Sequence, residues 1–237
     1  MRWLACACGL GLCGLPAAVS AQYLETRIGA LVIPTRQNLL NAQGLSHNSG
    51  TVSGGEFLIR NDAFGLYGKY LTGTVGTASA RSDDGRLRLA DLRAMIGLPI
   101  FSVEGGYGRR ARSGSISDGA DNLVRFGARS SVDLGPSGLS LSLSANAVGR
   151  SDSVPASAGA STSKKFGIVG WEAATAVLYQ PRRVPVYVML GYRFERIRSE
   201  KEYAPIRREE LGGVQIGIGV RYLRPAKPRS KAQPQVP

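Results

Sequence analysis

The chain has 237 residues, 43% of them hydrophobic, and a formal net charge of +13. That length suits one large domain or two small ones, and that apolar share excludes wholesale disorder. Past the first 21 residues there is no run of 18 apolar residues, which excludes a spanning helix in that part of the chain.

Residues 1–21 read as a separate unit. Arg2 gives a positive start, "WLACACGLGLCGL" is an apolar stretch of signal-peptide length, and Val19-Ser20-Ala21 offers small residues for cleavage before Gln22. All three cysteines (Cys6, Cys8, Cys13) lie in this unit, so the expected mature chain has no disulfide, thiolate or Cys metal chemistry. In an exported protein the natural partners for the positive charge are lipid head groups and lipopolysaccharide phosphates, not nucleic acid.

The rest alternates between apolar and polar residues with a period of two, the signal of strands, and helical periodicity is nearly absent. A first strand covers 24–33, and residues 34–53 are expected to be a long loop holding the sole histidine, His47. Strands follow at 56–60 and 64–72, with a tight link at Asn61-Asp62. In residues 86–98 the apolar positions change phase between Leu89 and Leu92. A β-bulge near Ala90-Asp91 is therefore expected, which would point Arg86 and Arg88 to the same face as Arg93.

After the tight "LPIF", "FSVEGGYGRR" sets Phe101, Val103 and Tyr107 against Glu104 and Arg110. "NLVRFGARSSVDL" opposes Val124, Phe126 and Val132 to Arg125, Arg129 and Asp133, and "GPSG" leads into "LSLSLSANA". "GIVGWEAATAVLY" places Trp171 and Tyr179 opposite Glu172. "PVYVMLGYRFER" places Val188 and Leu190 opposite Arg193 and Glu195. "GGVQIGIGVRY" ends the pattern. Short and long connections alternate, the long ones at 75–85, 113–121, 151–164 and 199–208.

About ten strands joined in this way predict an all-β, closed, up-and-down antiparallel barrel. At this point the sequence resembles the bacterial outer-membrane β-barrel superfamily over residues 22–222, at the level of architecture. Three features favour lipid over a soluble, lipocalin-like barrel that buries an apolar ligand. The polar face is rich in Gly, Ser and Ala. Aromatics flank the apolar face in pairs: Phe64 and Tyr70, Phe101 and Tyr107, Trp171 and Tyr179. Gln215, Gly217, Val220 and Tyr222 look like the C-terminal signal read by the barrel-assembly machinery, although 15 residues follow Tyr222.

The resemblance implies a barrel over 22–223 and a monomer set in outer-membrane lipid and lipopolysaccharide. The basic, Pro-rich residues 224–237 are expected to be an extended periplasmic tail. With the polar set turned inward, the expected lumen network comprises Glu25, Arg27, Glu56, Arg60, Lys69, Arg86, Arg88, Arg93, Glu104, Arg110, Arg125, Arg129, Asp133, Glu172, Arg193, Glu195 and Arg221. In so narrow a barrel these side chains fill the bore; an alternative is a small anion-favouring channel.

No metal cluster, P-loop or dinucleotide fingerprint occurs, so no cofactor is expected. His47 with Asn48 and Ser49 loosely resembles the His-x-Ser of lipid A deacylases, and Asp83, Asp84, Asp118, Asp121 and Asp152 fall in expected loops. The alternative function is therefore an outer-membrane hydrolase, protease or deacylase, acting near His47. The principal reading is a structural, surface-interaction or minor transport role without catalysis.

Overall fold

The computed structural model describes residues 24–41, 44–76, 85–98, 100–113, 119–151, 166–198 and 206–224. The expected signal segment, residues 225–237 of the expected tail and the rim acids Asp83, Asp84, Asp118 and Asp152 lie outside these residues, and Arg224, expected in the tail, ends a strand. Ten strands follow in chain order: β1 (Leu24–Asn41), β2 (Gly44–Asn61), β3 (Phe64–Gly76), β4 (Gly85–Leu98), β5 (Phe101–Ser113), β6 (Gly119–Asp133), β7 (Leu139–Ser151), β8 (Phe166–Tyr179), β9 (Val186–Arg198) and β10 (Ile206–Arg224). Each is antiparallel to its neighbours, and β1 pairs with β10 to close the barrel. Closure leaves no unpaired sheet edge, which hydrocarbon would not tolerate.

One end carries the tight connections. Asn61 Oδ1 accepts hydrogen bonds from the amides of Ala63 and Phe64 at 2.9 and 2.7 Å, which sets the β2–β3 turn. Between β6 and β7 a 3-10 turn, Gly135–Ser137, ends at Gly138 with φ of 77°. A Cβ there would stand 2.1 Å from the carbonyl oxygen of Gln180, so only glycine fits. Leu24 and Arg224 face each other in register at this turn end, so both described termini leave from it.

Along the lower strands the apolar set points outward. Ile28, Ile96 and Leu190 are 63%, 64% and 61% exposed, whereas Arg93, Glu104 and Glu195 are each 1% exposed. On β10 the apolar face runs from Tyr222 to Val214, about 20 Å of thickness at roughly 3.3 Å per residue and a tilt near 40°.

Two sequence-based expectations fail. Residues 34–53 are not a loop: β1 and β2 stay in continuous register from Leu24↔Asn61 to Asn41↔Gly44, forming a tall hairpin. Nor is there a bulge near Ala90-Asp91, because β4 keeps one phase against both β3 and β5. Leu87 and Leu89 therefore share the interior face with Asp91 and Arg93, and Arg86 and Arg88 point outward, exposed. The register shifts instead between Val148 and Gly149, where β7 meets β8, and between Leu40 and Asn41 on β1.

Candidate functional site

The interior is the first candidate. Inward positions recur every second residue, so each strand sends a column of side chains into the bore. At the turn end Glu25 accepts from Arg60 and from Arg221 Nε, the latter at 2.7 Å. Arg221 Nη1 donates to Ser140 Oγ at 2.9 Å, and Ser140 donates to Asp133 at 2.7 Å. Asp133 itself is solvent-exposed at this mouth.

Above this layer Glu172 on β8 collects three guanidinium groups. Arg93 Nη2 and Arg125 Nε each reach its Oε2 at 2.9 Å, and Arg193 Nη2 lies 3.1 Å away. Arg93 also donates to Asp91 and, at 2.8 Å, to Glu104. Glu104 further accepts from Arg129 Nε at 2.8 Å and from Asn146 Nδ2 at 2.7 Å. The Tyr67 ring lies 4.5 Å from the Arg129 guanidinium carbon and offers its π face to it. Tyr67 and Tyr187 both donate to Glu56, at 3.3 and 3.4 Å, and Arg27 pairs with Glu56 at 3.3 Å.

Higher still, Glu195 accepts from Arg125 at 2.7 Å and pairs with Arg110 at 2.6 Å. Arg110 on β5 also donates to Glu209 on β10 at 2.7 Å. In a ten-stranded ring these strands are diametrically opposite. Gln37 donates to Glu209 at 2.6 Å, Arg112 contacts Glu209 and Asp121, and Arg150 pairs with Asp121 at 2.7 Å. Side chains thus cross the full bore. A remaining interior cavity beside Arg27, Lys69 and Arg193 measures about 40 Å³.

Of the residues expected in the lumen, Glu25, Arg27, Glu56, Arg60, Lys69, Arg93, Glu104, Arg110, Arg125, Arg129, Glu172, Arg193, Glu195 and Arg221 are buried inside, and Asp133 sits at the mouth. Arg86 and Arg88 are not part of it. Sequence reasoning left Gln37, Asp91, Arg112, Asp121 and Glu209 out of the lumen. Asp91 was displaced by the mistaken bulge, and Gln37, Asp121 and Arg112 lie in or beside residues read as loops. Gln215 and Gly217 of the expected assembly signal face inward on β10, and Val220 and Tyr222 face outward. His47 is on β2, not in a loop; its exposed ring has Nδ1 2.8 Å from Asn38 Oδ1. Asn38 in turn donates its Nδ2 to Glu210 Oε2 at 3.4 Å.

The second candidate is a ring of outward arginines. Moving from the turn end, the next outward residue past the apolar belt is Arg36 after Pro34, Arg88 after Ala90, Arg109 after Tyr107 and Arg196 after Phe194. Arg86, Arg198 and Arg208 stand one step higher. Arg196 and Arg208 pair with Glu210 at 3.3 and 3.6 Å. Among the described residues no carboxylate lies within ion-pair distance of Arg36, Arg86, Arg88, Arg109 or Arg198. Below this collar Tyr70, Tyr107, Trp171 and Phe194 crown the belt, and Phe64, Phe101, Tyr179 and Tyr222 mark its lower edge.

A closed antiparallel up-and-down barrel with an apolar, aromatic-edged exterior and a charged interior has the architecture of a membrane β-barrel. The chain is similar in structure to Neisserial surface protein A, with 13% identity and a TM-score of 0.35 over 85% of this chain and 97% of that one. It is also similar to Ail, the attachment invasion locus protein of Yersinia pestis, with 14% identity and a TM-score of 0.34 over 84% and 98%. The P. putida toluene transporter TodX gives 11% identity and a TM-score of 0.29 over 84% and 89%. No protein-family model and no curated protein matches the sequence.

Proposed function

We propose that the protein is a non-conducting, non-catalytic outer-membrane barrel that works through its exterior, seated in lipopolysaccharide by its arginine collar. The observation that carries this is the division of charge. Interior carboxylates and arginines pair across the bore, and arginines with no carboxylate partner among the described residues stand outside, just above the apolar belt. Cations at that level meet the phosphates of the outer leaflet, where charge-assisted contacts are strong. A largely apolar groove of about 670 Å³ beside Arg109, lined by Phe57, Tyr70, Leu92 and Tyr107, supports the same reading, because its wall suits acyl chains.

In this reading the turn end faces the periplasm, residues 1–21 direct export and are removed, and the C-terminal tail is periplasmic. Gln215, Gly217, Val220 and Tyr222 are read by the assembly machinery, and the barrel works as a monomer. The tall β1–β2 hairpin stands above the membrane as a surface for interaction. His47 carries no catalytic role.

Recording from purified protein in planar bilayers tests the closed bore. A flat trace is expected, and discrete conductance steps would overturn it. The collar is tested by the lipopolysaccharide that co-purifies with the folded barrel. Changing Arg86, Arg88 and Arg109 together to Gln should lower it several-fold; unchanged retention would remove the collar from the function.

A further inference from the structure

The interior cavity of about 40 Å³ has an unusual lining: four cations, Arg27, Lys69, Arg129 and Arg193, against two carboxylates, Glu56 and Glu172. Both carboxylates are committed. Glu56 holds Arg27, Tyr67 and Tyr187, and Glu172 holds Arg93, Arg125 and Arg193. Lys69 is buried and faces Glu56 and Asp91 in register. Neither carboxylate makes an ion pair with it; its contact is with the Tyr67 ring, 6.0 Å from Nζ. Asp91 is turned to Arg93 and Arg125.

Two of the lining residues also carry donors that lack an acceptor. Arg27 Nε and Arg193 Nε and Nη1 are buried without a hydrogen-bond partner, on side chains that are 6% and 5% exposed. Ser142, Ser144 and Gln215 complete the wall and can each donate. An ammonium without an ion-pair partner among the described residues and orphaned guanidinium N–H groups beside a void are costly unless negative charge compensates them. The space has room for a small inorganic anion together with water.

We infer that this cavity is a binding site for a halide-sized inorganic anion, chloride in the natural setting, held between Lys69, Arg27 and Arg193 inside the closed barrel. The anion completes the lumen's charge balance and so stabilises the folded state in proportion to its occupancy.

The test uses the full barrel folded in detergent micelles. Thermal unfolding midpoints are compared in sodium chloride, sodium bromide and sodium gluconate at equal ionic strength, and crystals grown in bromide are examined for anomalous scattering. A midpoint several degrees higher in both halides, saturating with concentration, is expected. So is an anomalous peak within contact distance of Lys69 and Arg193. The halide advantage should vanish in Lys69→Met and persist in the exterior control Arg36→Gln. Equal midpoints in all three salts, a cavity holding water only, or a halide advantage that survives Lys69→Met would each overturn the inference. Should Lys69→Met fail to fold, the bromide peak in the unaltered protein decides.

Discussion

The lower and upper parts of this barrel are built from the same ten strands, yet they bury opposite chemistry. On β4, Met95, Arg93 and Asp91 face inward in the lower part while Ile96, Ala94 and Leu92 face out. Two steps higher the assignment reverses: Leu89 and Leu87 face inward, Arg88 and Arg86 outward. β1 behaves alike, with Arg27 inside and Ile28 outside below, and Ile33 inside and Arg36 outside above. The backbone does not change phase. What changes is the medium outside the wall, from hydrocarbon to water, so apolar side chains move from the only dry exterior to the only dry interior. The reversal is incomplete, since Arg110, Glu195 and Glu209 stay inside beside Leu123, Val148, Ile197 and Leu211. Alternation in a strand therefore reports burial, but not which medium does the burying.

The comparison breaks most sharply at the centre of the lower lumen. Changing Glu172 to Leu strips Arg93, Arg125 and Arg193 of a shared carboxylate in a site without bulk water. A loss of about 3–5 kcal/mol is expected in urea unfolding from lipid vesicles, the cost of breaking buried pairs by removing one partner. A loss below about 1 kcal/mol would mean that the lower bore is wet. The belt's upper limit is probed next. Ile218→Arg, on the lipid face of β10, should cost about 2–4 kcal/mol, falling to about 0–1 kcal/mol for Thr74→Arg near the top of β3. Equal costs would place Thr74 in hydrocarbon and erase the boundary.

The reversal also explains what the sequence could and could not disclose. In the lower barrel one face is continuously apolar, so strand positions, the Asn61-Asp62 and "GPSG" turns and most lumen charges were legible from period-two counting. Above the belt both faces are mixed. Residues 34–53, with Asn, Ser, Gly and His, look like a loop although they are paired strand. On β4 the swap of medium imitates a phase slip, and the inferred bulge put Arg86 and Arg88 inside. Nor could one sequence show that Arg110 and Glu209 meet, because their contact depends on ring closure between β1 and β10.

The upper interior yields a prediction of intermediate size. Leu87 is 2% exposed and packs with Leu71, Val75, Leu89 and Leu211. Leu87→Ala should cost about 2–3 kcal/mol through lost burial and the cavity left behind. A negligible cost would mean that water already enters the upper barrel, and the contrast with the lower half would then be one of charge alone.

The smallest stability effect belongs to Arg88, one residue further along β4. Its guanidinium is exposed and has no carboxylate partner among the described residues, so Arg88→Gln should change unfolding free energy by no more than about 0.5 kcal/mol. Its consequence should appear in lipid contact instead. The binding of lipopolysaccharide to the folded barrel should weaken, and the difference from the unaltered protein should shrink as salt is raised, since exposed charges are screened over roughly 10 Å at 0.1 M. Measuring both quantities on the Leu87 and Arg88 variants separates adjacent residues by medium: one acts on folding and not on lipid, the other on lipid and not on folding. If Arg88→Gln instead destabilised the fold as much as Leu87→Ala, the outward face at this height would be packed against something other than water and head groups, and the collar would have to be redrawn.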